Sequence, residues 1–180
     1  VYGNENAISV SGMSVDHDAS VYSSNGFRGV YVHGYTGGIS TSGLTLYNNS
    51  VLKVCTGHAG INDHGAAIRA GKVKVYGNST LYAEAERHDE TSKTEISAIN
   101  CTQRLEVSGG KVTAVCISGG KEEADRYYAC YGILTPKVQI SNGGTVEAYV
   151  KNLTRDNYRS SLAIDYVAPG NLNLSFKGAG

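Results

Sequence analysis

Among the residues able to do chemistry, the tightest group is Cys55, His58, Asp63 and His64, which sets a thiol, two imidazoles and a carboxylate within ten residues. These are donor types that zinc takes. No second cysteine stands nearby at metal-finger spacing, so neither a metal nor a cofactor is assigned, and a nucleophilic Cys and His pair has still less behind it. Asp16, His17 and Asp18 suggest calcium, but in a tight turn Asp bonds its own backbone, and too few oxygens converge. Arg87, Asp89, Glu90, Glu122, Glu123, Asp125 and Arg126 could supply the paired carboxylates of a glycoside hydrolase or the base of a lyase. Acids and bases adjoin one another in these runs as they do in solvated loops, and no catalytic residue is assigned.

Tyrosines form the other chemical group. Phe27, Tyr31, Tyr35, Tyr127, Tyr128, Tyr131 and Tyr158 fall in the variable stretches between repeats, as do Arg87 and Arg126. A tyrosine offers a flat apolar face to a sugar ring and a hydroxyl to bond it. Tyr127, Tyr128, Tyr131, Tyr158, Arg126 and Arg87 are therefore candidate glycan contacts, although the same tyrosines would equally seal loops onto a scaffold. Tyr47 and Tyr76, which fall at one position of neighbouring repeats, are a second candidate platform; aromatic ladders also stabilise parallel sheets without any ligand.

What positions these groups is a repeat. Ile8, Ile39, Ile68, Ile99, Ile133 and Ile164 recur at spacings of 31, 29, 31, 34 and 31. After each comes an alternating apolar pair: Met13 and Val15, Leu44 and Leu46, Val73 and Val75, Leu105 and Val107, Val138 and Ile140, Leu172 and Leu174. A third segment follows as Val21 and Ser23, Leu52 and Val54, Leu81 and Ala83, Val112 and Ala114, Val146 and Ala148. Alternation with period 2 means strands with one buried side. Turns, rich in the Gly and Asn that tolerate left-handed backbone, are expected in register at 16–19, 47–50, 76–79, 108–111 and 141–145.

Three short strands cannot bury their apolar sides within one unit, whereas stacked units can. The expected fold is all-β: a right-handed parallel β-helix (β-solenoid), three strands per ~31-residue coil and about five to six coils, in a single domain over residues 1–180. Register predicts that Tyr22, Lys53, Tyr82, Thr113 and Glu147 share an outward row, that Lys74 and Glu106 are rung neighbours, and that Cys101 points inward. Residues 24–38, 56–66, 84–97, 117–131 and 149–162 vary most in length and composition, and such insertions project from one edge of a stacked repeat.

Composition agrees and excludes some partners. Gly is 23 of 180 residues, with two Pro and no Trp, which favours short strands and turns over helices. Sixteen cationic and sixteen anionic side chains give zero formal net charge, so no overall field draws the chain to nucleic acid. No apolar run is long enough for a membrane span. Because the chain begins at Val1 without a signal region, it is expected to be an excised piece of a longer protein, with neighbouring domains at both ends. Four cysteines allow three pairings if all are bonded.

The stretches Ser108, Gly109, Gly110, Lys111, Val112, Thr113, Ala114 and Ser141, Asn142, Gly143, Gly144, Thr145, Val146, Glu147, Ala148 resemble the strand and turn signature of β-solenoid repeats in secreted surface proteins of Gram-positive anaerobes. The resemblance implies a non-catalytic, adhesin-like extracellular module, secreted or on a bacterial cell surface, that binds a polysaccharide or host glycan through its loop-bearing edge. For an extracellular chain it further implies a Cys116–Cys130 disulfide closing a 15-residue loop, worth about 3 kcal/mol, with Cys55 and Cys101 free. Two alternatives stand beside it: a passive stalk or spacer of a surface protein, and a polysaccharide lyase or hydrolase of parallel β-helix type.

Overall fold

The period-2 segments become strands, and their like-with-like register decides how those strands pair. A computed structural model describes the backbone of residues 2–3, 6–10, 13–15, 21–22, 28–34, 37–57, 65–87, 95–118, 130–152, 161–165 and 174–176, with side chains over 30–34, 37–57, 65–87, 95–117 and 130–151. The described residues are all-β, with parallel strands in two sheets and no helix. The short-strand sheet runs in the order Tyr2–Gly3, Arg28–Gly34, Val51–Thr56, Thr80–Arg87, Lys111–Ser118, Thr145–Asn152. The long-strand sheet is built on Asn6–Val10, Gly37–Leu46, Gly65–Tyr76, Ile96–Ser108, Cys130–Leu134 and Ser161–Asp165. Met13–Val15, Val138–Ser141 and Leu174–Phe176 extend its rungs. The chain passes from one sheet to the other and back, so each parallel pairing joins segments one repeat apart.

The isoleucines form one column: Ile8 pairs with Ile39, then Ile68, Ile99, Ile133 and Ile164 follow rung by rung. Met13, Leu44, Val73, Leu105 and Val138 form another. Leu52, Leu81, Val112 and Val146 align in the facing sheet. Side chains from both sheets enter a common apolar core, with Ile39, Leu44, Ile68, Ile99, Leu105, Leu52, Leu81 and Val112 at most 1% exposed. Each such burial contributes about 1.5–3 kcal/mol relative to exposure.

Two positions depart from the sequence-based register. Opposite Leu52 and Val54 stand Val30 and Val32, while Val21 and Tyr22 pair antiparallel with Gly29 and Arg28. The outward row therefore begins with Tyr31, and Tyr22 has no place in it. In the last repeat Leu174 and Phe176, not Leu172 and Leu174, lie opposite Val138 and Ile140.

The first two segments of a repeat merge into one ladder over Gly37–Leu46, Gly65–Tyr76 and Ile96–Ser108. Within each, the inward phase slips: Thr41 and then Leu44 face the core, as do Ala70 and Val73, and Cys101 and Leu105. Two or three consecutive residues off the core bend the sheet around it. At the bend the Thr41 hydroxyl accepts from the Gly43 N–H at 3.2 Å and donates to the Gly43 carbonyl at 3.1 Å. Thr135 makes the same pair of bonds with Lys137. The six-residue step from Ile99 to Leu105, against five at Ile8, Ile39, Ile68 and Ile133, becomes a register irregularity between Cys101 and Arg104.

Tight turns carry the chain from the long-strand sheet to the short one. Asn48, Asn49, Gly77, Asn78, Gly109, Asn142 and Gly143 all hold positive φ, between 52° and 73°, a region that Gly and Asn enter at least cost. The turns stack: Gly77 N–H donates to Ser108 O at 3.0 Å, Gly109 N–H to Ser141 O at 3.1 Å, and Thr80 N–H to Ser50 O at 2.9 Å. Beneath them the buried Ser50 hydroxyl donates to Ser79 Oγ at 3.4 Å.

Candidate functional site

Opposite the turn column lies a second edge of different character. Strands of the short-strand sheet end there at Thr56, Arg87, Ser118 and Asn152, and strands of the long-strand sheet restart at Gly65, Ile96, Cys130 and Ser161. Register aligns these ends: Arg87 is opposite Ser118 and Ser118 opposite Asn152, while Ile96 lies between Gly65 and Cys130, which is itself opposite Ser161. Between these strand ends the sequence has segments 58–64, 88–94, 119–129 and 153–160. From Leu46 to Thr145 the turn edge takes two to four residues per repeat and the other edge at least seven, whereas in the first repeat twelve residues separate Val15 from Arg28.

At the base of the variable edge a disulfide joins Cys116 to Cys130, 14 residues apart in sequence and 6.2 Å between Cα atoms. Arg87 is 3% exposed and Tyr131 9% exposed, so both candidates are buried where strands end or begin. Tyr127, Tyr128, Tyr158 and Arg126 lie outside the described residues. So do Asp16, His17, Asp18, Phe27, Tyr35, His58, Asp63, His64, Asp89, Glu90, Glu122, Glu123 and Asp125. Among the described residues no group of three His, Cys, Asp or Glu side chains is placed to hold a metal ion.

Tyr47 and Tyr76 are half-buried beside the turn column, away from the variable edge. The Tyr76 hydroxyl donates to Glu106 Oε1 at 2.8 Å; burial, then that bond, pushes its pKa up to about 12. Glu106 is the register partner of Lys74, yet its carboxylate is taken by Tyr76 and by Arg104, 3.3 Å away.

The outer face of the short-strand sheet holds a cluster that the sequence register only half located. Tyr31, Lys53, Tyr82, Thr113 and Glu147 stand on successive rungs. The Lys53 ammonium lies 5.8 Å from the Tyr31 ring centroid and 5.0 Å from that of Tyr82, attracted by both π faces. Tyr82 donates a short hydrogen bond to Glu84, and burial followed by that bond raises its pKa. The next row carries His33, Cys55, Glu84, Val115 and Tyr149. Burial first, then the charge of Glu84, pushes the Cys55 thiol up to about 11, which suppresses the nucleophilic thiolate. Tyr31 and His33 escaped the sequence register because an even 31-residue spacing pointed to Val21; the alternation of Val30, Tyr31, Val32 and His33 was the signal for them.

Further along this face Lys111 Nζ lies 2.9 Å from Glu147 Oε1, and Thr113 donates to the other carboxylate oxygen at 3.2 Å. The Lys111 hydrogen bond is the main reason the Glu147 carboxyl titrates below its ordinary value. Compared with family models, with curated proteins and with solved structures, the chain has no match.

Proposed function

We propose that the chain is a stretch of right-handed parallel β-solenoid, one domain over residues 1–180, acting as a non-catalytic extracellular module of a bacterial surface or secreted protein. Its variable edge holds a polysaccharide or host glycan. The observation that carries this reading is the difference between the two edges. One is a column of near-identical turns bonded to one another. The other takes segments 58–64, 88–94, 119–129 and 153–160, among them those containing Tyr127, Tyr128 and Tyr158. An internally bonded scaffold that gathers four long segments on one side is suited to presenting loops to a ligand. The Cys116–Cys130 bond supports it by clamping the base of segment 119–129.

A passive stalk is the second reading, favoured by the burial of Arg87 and Tyr131, which fill the base of the edge rather than face outward. A glycan array separates the two. The first reading expects binding by the intact chain that is lost in Tyr127→Ala/Tyr128→Ala, with the fold retained by circular dichroism. The stalk expects no glycan, acidic or neutral, whose binding that variant removes. Turnover of a polysaccharide would overturn both.

A further inference from the structure

Charge is distributed unequally between the two outer faces. On the short-strand sheet Lys53, Lys111 and Lys151 stand among an equal number of acids, Glu84, Glu86 and Glu147. On the long-strand sheet the outward positions hold Arg69, Lys72, Lys74, Arg104 and Lys137, and Glu106 is the one acid among residues there whose side chains are described. Asp165 shares the row of Arg69 but stands three rungs away. A chain with zero formal net charge thus gathers five cations on one face.

Three of them follow the bend. Lys72 is the register partner of Arg104, and the Lys137 carbonyl accepts from the Leu105 N–H at 2.8 Å, which puts Lys137 on the next rung. Successive rungs are about 4.8 Å apart, so these cations form a ridge roughly 10 Å long along the stacking direction. Lys72 and Arg69 are exposed. Lys72, Lys74 and Lys137 make no ion pair among the described residues, and Arg104 keeps Glu106. Exposed Ser42, Thr102 and Gln103 lie on the same bend, with Gln139 beside it, offering hydroxyl and amide groups between the charges.

We propose that this ridge binds a linear acidic polysaccharide laid along the stack, its carboxylate or sulfate groups meeting Lys72, Arg104 and Lys137 in turn while the neutral side chains bond sugar hydroxyls. A polymer with regularly spaced anions matches cations repeated at the rung spacing, and charge complementarity speeds and orients its docking. Among the described residues the rings on this face, Tyr47 and Tyr76, stand beside the turns, and the bend itself holds none on which a nucleobase could stack. The site is separate from the variable edge; the choice of a polysaccharide over another polyanion rests on the glycan reading above.

The test is calorimetric titration of the intact chain with polygalacturonate, dextran sulfate, uncharged dextran and oligothymidylate at two salt concentrations. The acidic polysaccharides are expected to bind more weakly at higher salt, and uncharged dextran not to bind the ridge. Lys72→Gln/Lys74→Gln/Lys137→Gln should weaken acidic-polymer binding by about tenfold and flatten its salt dependence, and Lys137→Gln alone by about twofold. Tyr127→Ala/Tyr128→Ala should leave that affinity unchanged, so the ridge and the edge fail separately. The proposal is overturned if neither acidic polymer binds, if the triple variant with an unchanged dichroism spectrum binds as tightly as the parent, if the tyrosine variant loses as much, or if oligothymidylate binds tighter than both acidic polymers.

Discussion

Gly43 and Gly71 sit on neighbouring rungs of the bend, Gly43 opposite Lys72 and Gly71 beside Ser42, yet a methyl group would meet different surroundings at each. A Cβ on Gly71 would stand 2.4 Å from the Ser42 carbonyl oxygen and 3.4 Å from its carbon. That carbonyl belongs to the backbone of the adjacent repeat and cannot rotate aside, so a rung must shift. A Cβ on Gly43 would meet nothing within 4 Å, and neither glycine has positive φ. Gly71→Ala should therefore cost about 1–3 kcal/mol, as overpacking does. Gly43→Ala should gain about 0.4–1 kcal/mol by restricting the unfolded chain. With a urea slope of about 2 kcal/mol/M, the two midpoints should differ by roughly 1 M, Gly43→Ala being the more stable. Equal midpoints at equal slopes, or the reverse order, would refute the close inter-repeat approach on which the argument rests.

Thiol counting on the unfolded, non-reduced chain should find two free thiols, at Cys55 and Cys101; four would rule out the Cys116–Cys130 bond. In the folded chain burial pushes Cys101 up to about 12, and burial with Glu84 pushes Cys55 to about 11, so neither should react with iodoacetamide at pH 8 until urea is added. Because both folded-state values lie above the ordinary 9.0, their contribution to stability is complete below pH 9 and declines as pH rises from there through about 11 and 12; denaturation midpoints that climb over that window would contradict the assignment. Leu81→Ala, in the fully buried column, should destabilise by about 2–5 kcal/mol in the same urea assay, and a cost under 1 kcal/mol would count against a common core. Lys111→Ala should return the Glu147 carboxyl toward its ordinary value in a pH titration followed by NMR, and an unmoved Glu147 would exclude Lys111 as the cause.

The isoleucine column was legible because a core position repeats once per rung, and pairing preserves that spacing across all six repeats. Turn positions were legible for a similar reason: left-handed backbone demands Gly or Asn, and those residues mark 48–49, 77–78, 109 and 142–143. Val30 was missed because a chain that doubles back on itself, as Val21–Tyr22 does against Arg28–Gly29, moves the next strand by nine residues without changing the spacing of the isoleucines. Register also places Lys74 beside Glu106 but says nothing of rotamers, and the carboxylate turns instead to Arg104 and Tyr76. The burial of Arg87 and Tyr131 follows from where strands end, a boundary that composition marks poorly. Basic residues at the bend come from three repeats, and only once Lys72, Arg104 and Lys137 are aligned do they read as one ridge.

Hydrogen exchange of the chain, free and saturated with the glycan that an array selects, tests the functional account most directly. It predicts added protection at the strand ends around Thr56, Arg87, Ser118 and Asn152 and in the segments they lead into, with none in the turns at 47–50, 76–79 and 108–111. Protection confined to those turns, or a chain that no glycan protects anywhere, would contradict it.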